Sequence, residues 1–126
     1  MSAAFRLPAV MLAVGLGLVA AQPAHAQINP FRGSLANRLT NDDFVAMNNA
    51  VTSLLDRQAL QSGETEVWNN PSTGTKGTIE VARDFKHGTW ACHALRYTVY
   101  PGGADGQSTS RATLNWCKTK EGWKIL

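Results

Sequence analysis

The chain is poor in the residues that do chemistry. It has two cysteines and three histidines in 126 residues. Cys92 and Cys117 are not in a Cys-x-x-Cys arrangement, and no other thiol is present to complete a zinc site, so thioredoxin-like redox and zinc-finger chemistry are excluded. His87 and His93, with Asp84, make too thin a ligand set for a metal. No nucleophile-elbow or zinc-protease motif occurs. Ser108 or Ser110 with His93 and Asp84 can be assembled into a triad on paper, but any chain of this length offers such a set. No cofactor motif is found. Charge is also scarce. Beyond residue 26 there are 11 basic and 9 acidic residues, a net of +2, too little to argue for nucleic acid.

What is present begins with a leader. Arg6 is the only charge in residues 1–26, followed by an apolar run from Leu7 to Ala21 and the small-x-small site Ala24-His25-Ala26. The run is too short and too interrupted for a membrane span, and no other run replaces it. The reading is a signal peptide over 1–26, cleaved after Ala26, with no integral span after cleavage. No cysteine stands at the site for lipid attachment. The remaining 100 residues make one small domain, expected as a monomer or weak dimer. Export puts it in an oxidising compartment where a disulfide persists.

The centre of that domain is Trp90 to Trp116, read as a long β-hairpin turning at Gly102-Gly103-Ala104-Asp105-Gly106. Symmetry about that turn sets Cys92 opposite Cys117, within disulfide range. Two arrangements satisfy this register: a clasp on the outer face, or a bulge near Trp90 that turns the bridge inward.

Residues 27–40 read as an extended lead-in. A helix follows, capped by Thr40 or Asn41, with Asp42 and Asp43 in its first turn. Phe44, Met47, Val51, Leu54 and Leu55 share one helical face, and the pattern is expected to end near Leu60 with Gly63 as the stop. Strands are predicted over Thr65 to Asn69, Gly77 to Asp84, the two hairpin arms, and Gly122 to Leu126. The fold class is α+β: one N-terminal helix on an antiparallel meander sheet of about five strands, over 41–126. Alternation predicts Val67, Ile79, Val81, Leu95, Tyr97, Val99, Leu114, Trp116, Trp123 and Ile125 on the helix side. Glu66, Trp68, Thr78, Glu80, Arg96, Thr98, Tyr100, Arg111, Thr113 and Lys124 fall outside, with Glu80 facing Arg96. Trp68, Arg96, Tyr100 and Arg111 are the candidate binding residues, since exposed aromatics among arginines mark binding surfaces. Asn70, Thr73, Gly74 and Gly77 are read as turn chemistry.

Three blocks add a resemblance. Trp68-Asn69-Asn70-Pro71-Ser72-Thr73-Gly74-Thr75-Lys76-Gly77-Thr78-Ile79, then Cys92 to Val99, then Cys117-Lys118 with Gly122-Trp123-Lys124-Ile125 resemble the C-terminal domain of the rickettsial 17-kilodalton surface antigen family of alphaproteobacterial envelope proteins. The match covers about Leu54 to Leu126. His93 stands where that family has Arg, and the family's lipobox cysteine and glycine-rich hydrophobic stretch are missing. The resemblance implies a periplasmic or secreted envelope domain with no catalytic residues to carry over. The expected function is binding of a partner protein or a cell-wall or surface polymer. A small periplasmic inhibitor of an enzyme such as lysozyme is the alternative, and an enzyme of unknown class the second alternative.

Overall fold

The computed structural model describes residues 30–31, 38–103 and 109–126. Residues 1–29, 32–37 and 104–108 lie outside them, and with them the expected signal peptide over 1–26 and part of the expected turn from Gly102 to Gly106. One helix, α1 (Asn41–Leu55), precedes a five-stranded antiparallel sheet. The strands are β1 (Thr65–Asn70), β2 (Thr75–His87), β3 (Trp90–Tyr100), β4 (Ser110–Thr119) and β5 (Gly122–Ile125), each paired with the next. Among the described residues no helix is long and apolar enough to cross a membrane.

The helix starts at a reciprocal capping box. Thr40 Oγ1 accepts from Asp43 N at 3.2 Å, and Asp43 Oδ2 accepts from Thr40 N at 2.9 Å, so two orphan donors are satisfied at once. All five apolar residues of the predicted face are buried. The helix ends at Leu55, earlier than Leu60. The apolar stripe has run out, because Arg57 and Gln58 occupy the next positions on that face. Arg57 instead reaches sideways to Thr65 O and the carboxylates of Glu64 and Glu66, tying the helix end to β1.

The central hairpin has the expected register, with Cys92 opposite Cys117 and Val99 opposite Ser110. The cysteines are bridged with Cα atoms 4.0 Å apart. A cross-link closing a loop of this length adds about 3.5 kcal/mol in the chain-entropy account. Of the two arrangements, the bridge takes the outer face. β3 and β4 pair without a break, and the sheet's bulge lies at Ala82 in β2. The two cysteines are nonetheless fully buried. Phe85 stands across the strand from Cys92, and Trp90 and Leu126 flank Cys117.

The first hairpin departs from expectation. β1 runs through Asn70 and β2 starts at Thr75, leaving a four-residue turn. Trp68 therefore faces Gly77, and Val67 faces Thr78. A turn one residue shorter than expected slips the pairing by one, and a one-residue slip exchanges the faces. Trp68 is in the core at 7 % exposure, and Val67 is outside at 70 %. The placement of Trp68 on the outer face, and with it Trp68 as a binding anchor, is overturned. Glu66 moves likewise to the helix side.

The core joins α1 to Trp68, Ile79, Val81, Leu95, Tyr97 and Val99. Phe31 is buried there too, so the folded unit reaches back into the segment read from sequence as a lead-in. α1 packs on β1 and β2. Leu114, Trp116 and Trp123, on the far wing of the same face, are only partly buried.

Candidate functional site

The loop of the first hairpin is held by a buried carboxylate. Asp43 is 1 % exposed. Its Oδ1 accepts from Asn70 Nδ2 at 2.8 Å and from Thr73 Oγ1 at 2.7 Å. Burial pushes its pKa up, but the hydrogen bonds from Thr40, Thr73 and Asn70 outweigh that, and the net shift is downward. Asn70 Oδ1 accepts from Ser72 N, and Gly74, at φ 74°, donates to Asn70 O at 2.8 Å. Thr75 Oγ1 accepts from Gly102 N. The side chains of Asn70, Thr73 and Thr75 are thus directed into the protein's own backbone or helix, and the turn reading of Asn70, Thr73 and Gly74 agrees with this geometry. Gly77 is needed for a different reason. A Cβ there would come within 2.4 Å of Thr98 O and 2.7 Å of Trp68 Nε1, so the indole lies flat over a position that only glycine fits. The Trp68-to-Gly77 block is therefore a packing device.

His93 and Asp84 do meet. They are cross-strand partners, and His93 Nδ1 lies 2.6 Å from Asp84 Oδ1. The imidazole also stands 5.4 Å from the Trp123 ring. Ser110 does not complete a triad: it faces Val99, six residues along β3 from His93, or roughly 20 Å at the usual strand rise. Ser108 lies outside the described residues. Among the described residues no cluster of His, Cys, Asp or Glu is suited to a metal.

Two surfaces remain. The first is a groove of about 430 Å³ between α1 and the β4–β5 wing, walled by Val51, Leu55, Tyr97, Trp116 and Trp123. Trp116 Nε1 donates to Tyr97 OH at 3.0 Å, and burial pushes the Tyr97 phenol up to about 12. Pro30 is part of the groove wall, and Phe31 beside it is in the core, so these two residues already occupy this side.

The second surface is the outer face of the sheet. Arg96, Tyr100 and Arg111 come together there, as expected, lining one shallow depression with Thr78, Glu80 and Thr98. Arg96 faces Thr113 and Arg111 faces Thr98, which makes the two arginines diagonal neighbours at roughly 7–8 Å. Glu80 is opposite Arg96, with the charged atoms 3.5 Å apart, an exposed pair that holds neither side chain firmly. Arg111 has no ion pair among the described residues. Val67, at 70 % exposure, takes the place Trp68 was expected to fill.

Sequence reasoning missed two members of this face. Lys76 falls outside as the partner of Tyr100. Arg83 falls outside only because the bulge at Ala82 inserts one residue after Val81, so that Arg83 faces Ala94. The Arg83 guanidinium then lies 4.5 Å over the Phe85 ring. Strand parity could have found Lys76, but nothing in the local sequence marks Ala82 as the bulge.

No family model, curated protein or solved structure matches the chain.

Proposed function

We propose that the chain is an exported, non-catalytic envelope protein of the surface-antigen type, binding a partner protein or a cell-wall or surface polymer through the helix-free face of its sheet. One observation carries this reading. Arg96, Arg111 and Tyr100 converge on one depression, and the helix packs on the other side of the sheet. Cationic and aromatic side chains left at the surface of a small sheet add little to folding, whereas such residues are common at binding surfaces. The disulfide suits an oxidising compartment, and the surface-antigen resemblance points to the periplasm or the medium. The groove on the helix side is less suited to a foreign partner, because Pro30 already forms part of its wall.

The test is capture from envelope extract by the wild type and by an Arg96→Gln/Arg111→Gln variant, each shown to be folded by circular dichroism. The wild type should retain a component that the variant loses by at least about tenfold, a difference of about 1.4 kcal/mol. Equal capture by both would remove this face from the account.

A further inference from the structure

The modest net charge of the chain conceals a segregated one. Strand register assigns Lys76, Arg83, Arg96, Arg111 and Lys124 to the outer face, and all five side chains are exposed. Glu80 is the only carboxylate on a described strand that points the same way. Glu121, in the β4–β5 turn, pairs with Lys124 at 3.6 Å at one end. The remaining described acids lie on α1, on the helix side of the strands, or in the segment joining α1 to β1: Asp43 is capped by the hairpin loop, Glu64 and Glu66 by Arg57, and Asp84 by His93.

We infer that the helix-free face binds an anionic polysaccharide, a polymer of sugar units bearing carboxylate groups; this rests on the reading of that face as the binding surface. Three features favour this occupant. The cations are spread over β2 to β5 and from the Tyr100 end to the Lys124 end, a strip of roughly 25 Å by 15 Å at the usual rise and strand spacing. A strip of that size suits an extended polymer better than a single small molecule, which would need a deeper pocket. Between the cations stand Thr78 and Thr113, whose hydroxyls can donate to and accept from sugar hydroxyls. Tyr100 is 42 % exposed beside the arginines, offering a flat apolar ring with a polar tip. Arginine forks match carboxylates in bidentate fashion, so Arg96 and Arg111 are the residues expected to fix the polymer's register.

The experiment is affinity electrophoresis of the leaderless chain through gels holding polygalacturonate, with neutral dextran of similar length as the control. The wild type should be retarded by polygalacturonate alone, and less so as salt rises. Arg96→Gln/Arg111→Gln should weaken retardation at least tenfold. Lys86→Gln, which removes an exposed cation on the opposite face, should leave it unchanged. The proposal is overturned by equal retardation of wild type and the double variant, by an equal loss in Lys86→Gln, or by double-stranded DNA competing as well as free polygalacturonate. If the wild type ignores polygalacturonate yet captures an envelope component that the double variant loses, the binding face stands and the sugar polymer falls. If neither is seen, both readings fall together.

Discussion

The two faces of this sheet are made of different materials, and the difference separates what holds the fold from what is left over. On the helix side Trp68 lies over Gly77, Tyr97 accepts from Trp116, and Asp43 satisfies a loop 27 residues away in sequence. Each of these groups is needed by another. On the outer side the pairs are long and exposed, such as Arg96 with Glu80 at 3.5 Å, and removing one should change stability little. Cys92 and Cys117 are the exception, since they stabilise the fold from the outer face. The comparison implies that stability and binding can be altered separately, and it can be broken at several points.

The largest effect is expected at Trp68. Trp68→Ala should cost about 3–5 kcal/mol, the range for emptying a buried aromatic site. A urea midpoint close to that of the wild type would mean that Trp68 is exposed and the β1 register is wrong. Gly77→Ala sharpens the same point, because the added methyl meets both Thr98 O and the indole. It should also destabilise the fold, by about 1–3 kcal/mol.

Asp43→Ala comes next, at about 2–4 kcal/mol, since it removes the helix cap and strands Asn70 and Thr73 in a buried loop. A depressed carboxylate also gives this site a definite pH signature. The folded-state pKa lies below the ordinary aspartate range, held there by the hydrogen bonds from Thr40, Thr73 and Asn70. The stabilisation is therefore fully present above the unfolded value and is lost as the pH falls through the folded one. Between about pH 5 and about pH 2 the wild type should lose more stability than Asp43→Asn. Parallel midpoints across that range would show that the carboxylate is not stabilised by its partners.

Trp123→Ala is expected to be milder, at about 1–3 kcal/mol, because the indole is only half-buried against His93 and under the Lys118 ammonium. A loss as large as that of Trp68→Ala would mean that the β4–β5 wing is more tightly covered than the structure has it.

Much of this was legible in the sequence, and where it was not, the reason is local. The central hairpin could be read because it is symmetric and carries the two cysteines, and Glu80 opposite Arg96 followed from simple alternation. The apolar stripe of α1 was equally plain. The first hairpin could not be read from strand alternation, because both Val67 and Trp68 suit a core and only turn length decides between them. That length depends on Asn70 and Thr73 bonding to Asp43, a contact between distant segments that no local pattern displays. Three of the four candidate binding residues, Arg96, Tyr100 and Arg111, do meet, and Trp68 does not join them. The charge segregation stayed hidden because the slipped register of the first hairpin set Glu66 outside, Lys76 was missed, and Arg83 reaches the outer face through a bulge.

The division between the faces is tested most directly by site-specific photo-crosslinking in envelope extract. A photoreactive phenylalanine analogue is placed either at Thr113, which faces Arg96 on the outer side, or at Val45, exposed on α1. Both variants should melt close to the wild type, since neither site is buried. The account predicts a covalent adduct from position 113 and none from position 45, with the adduct suppressed when Arg96→Gln and Arg111→Gln are added. An adduct from position 45 alone would contradict it, moving the binding surface to the helix.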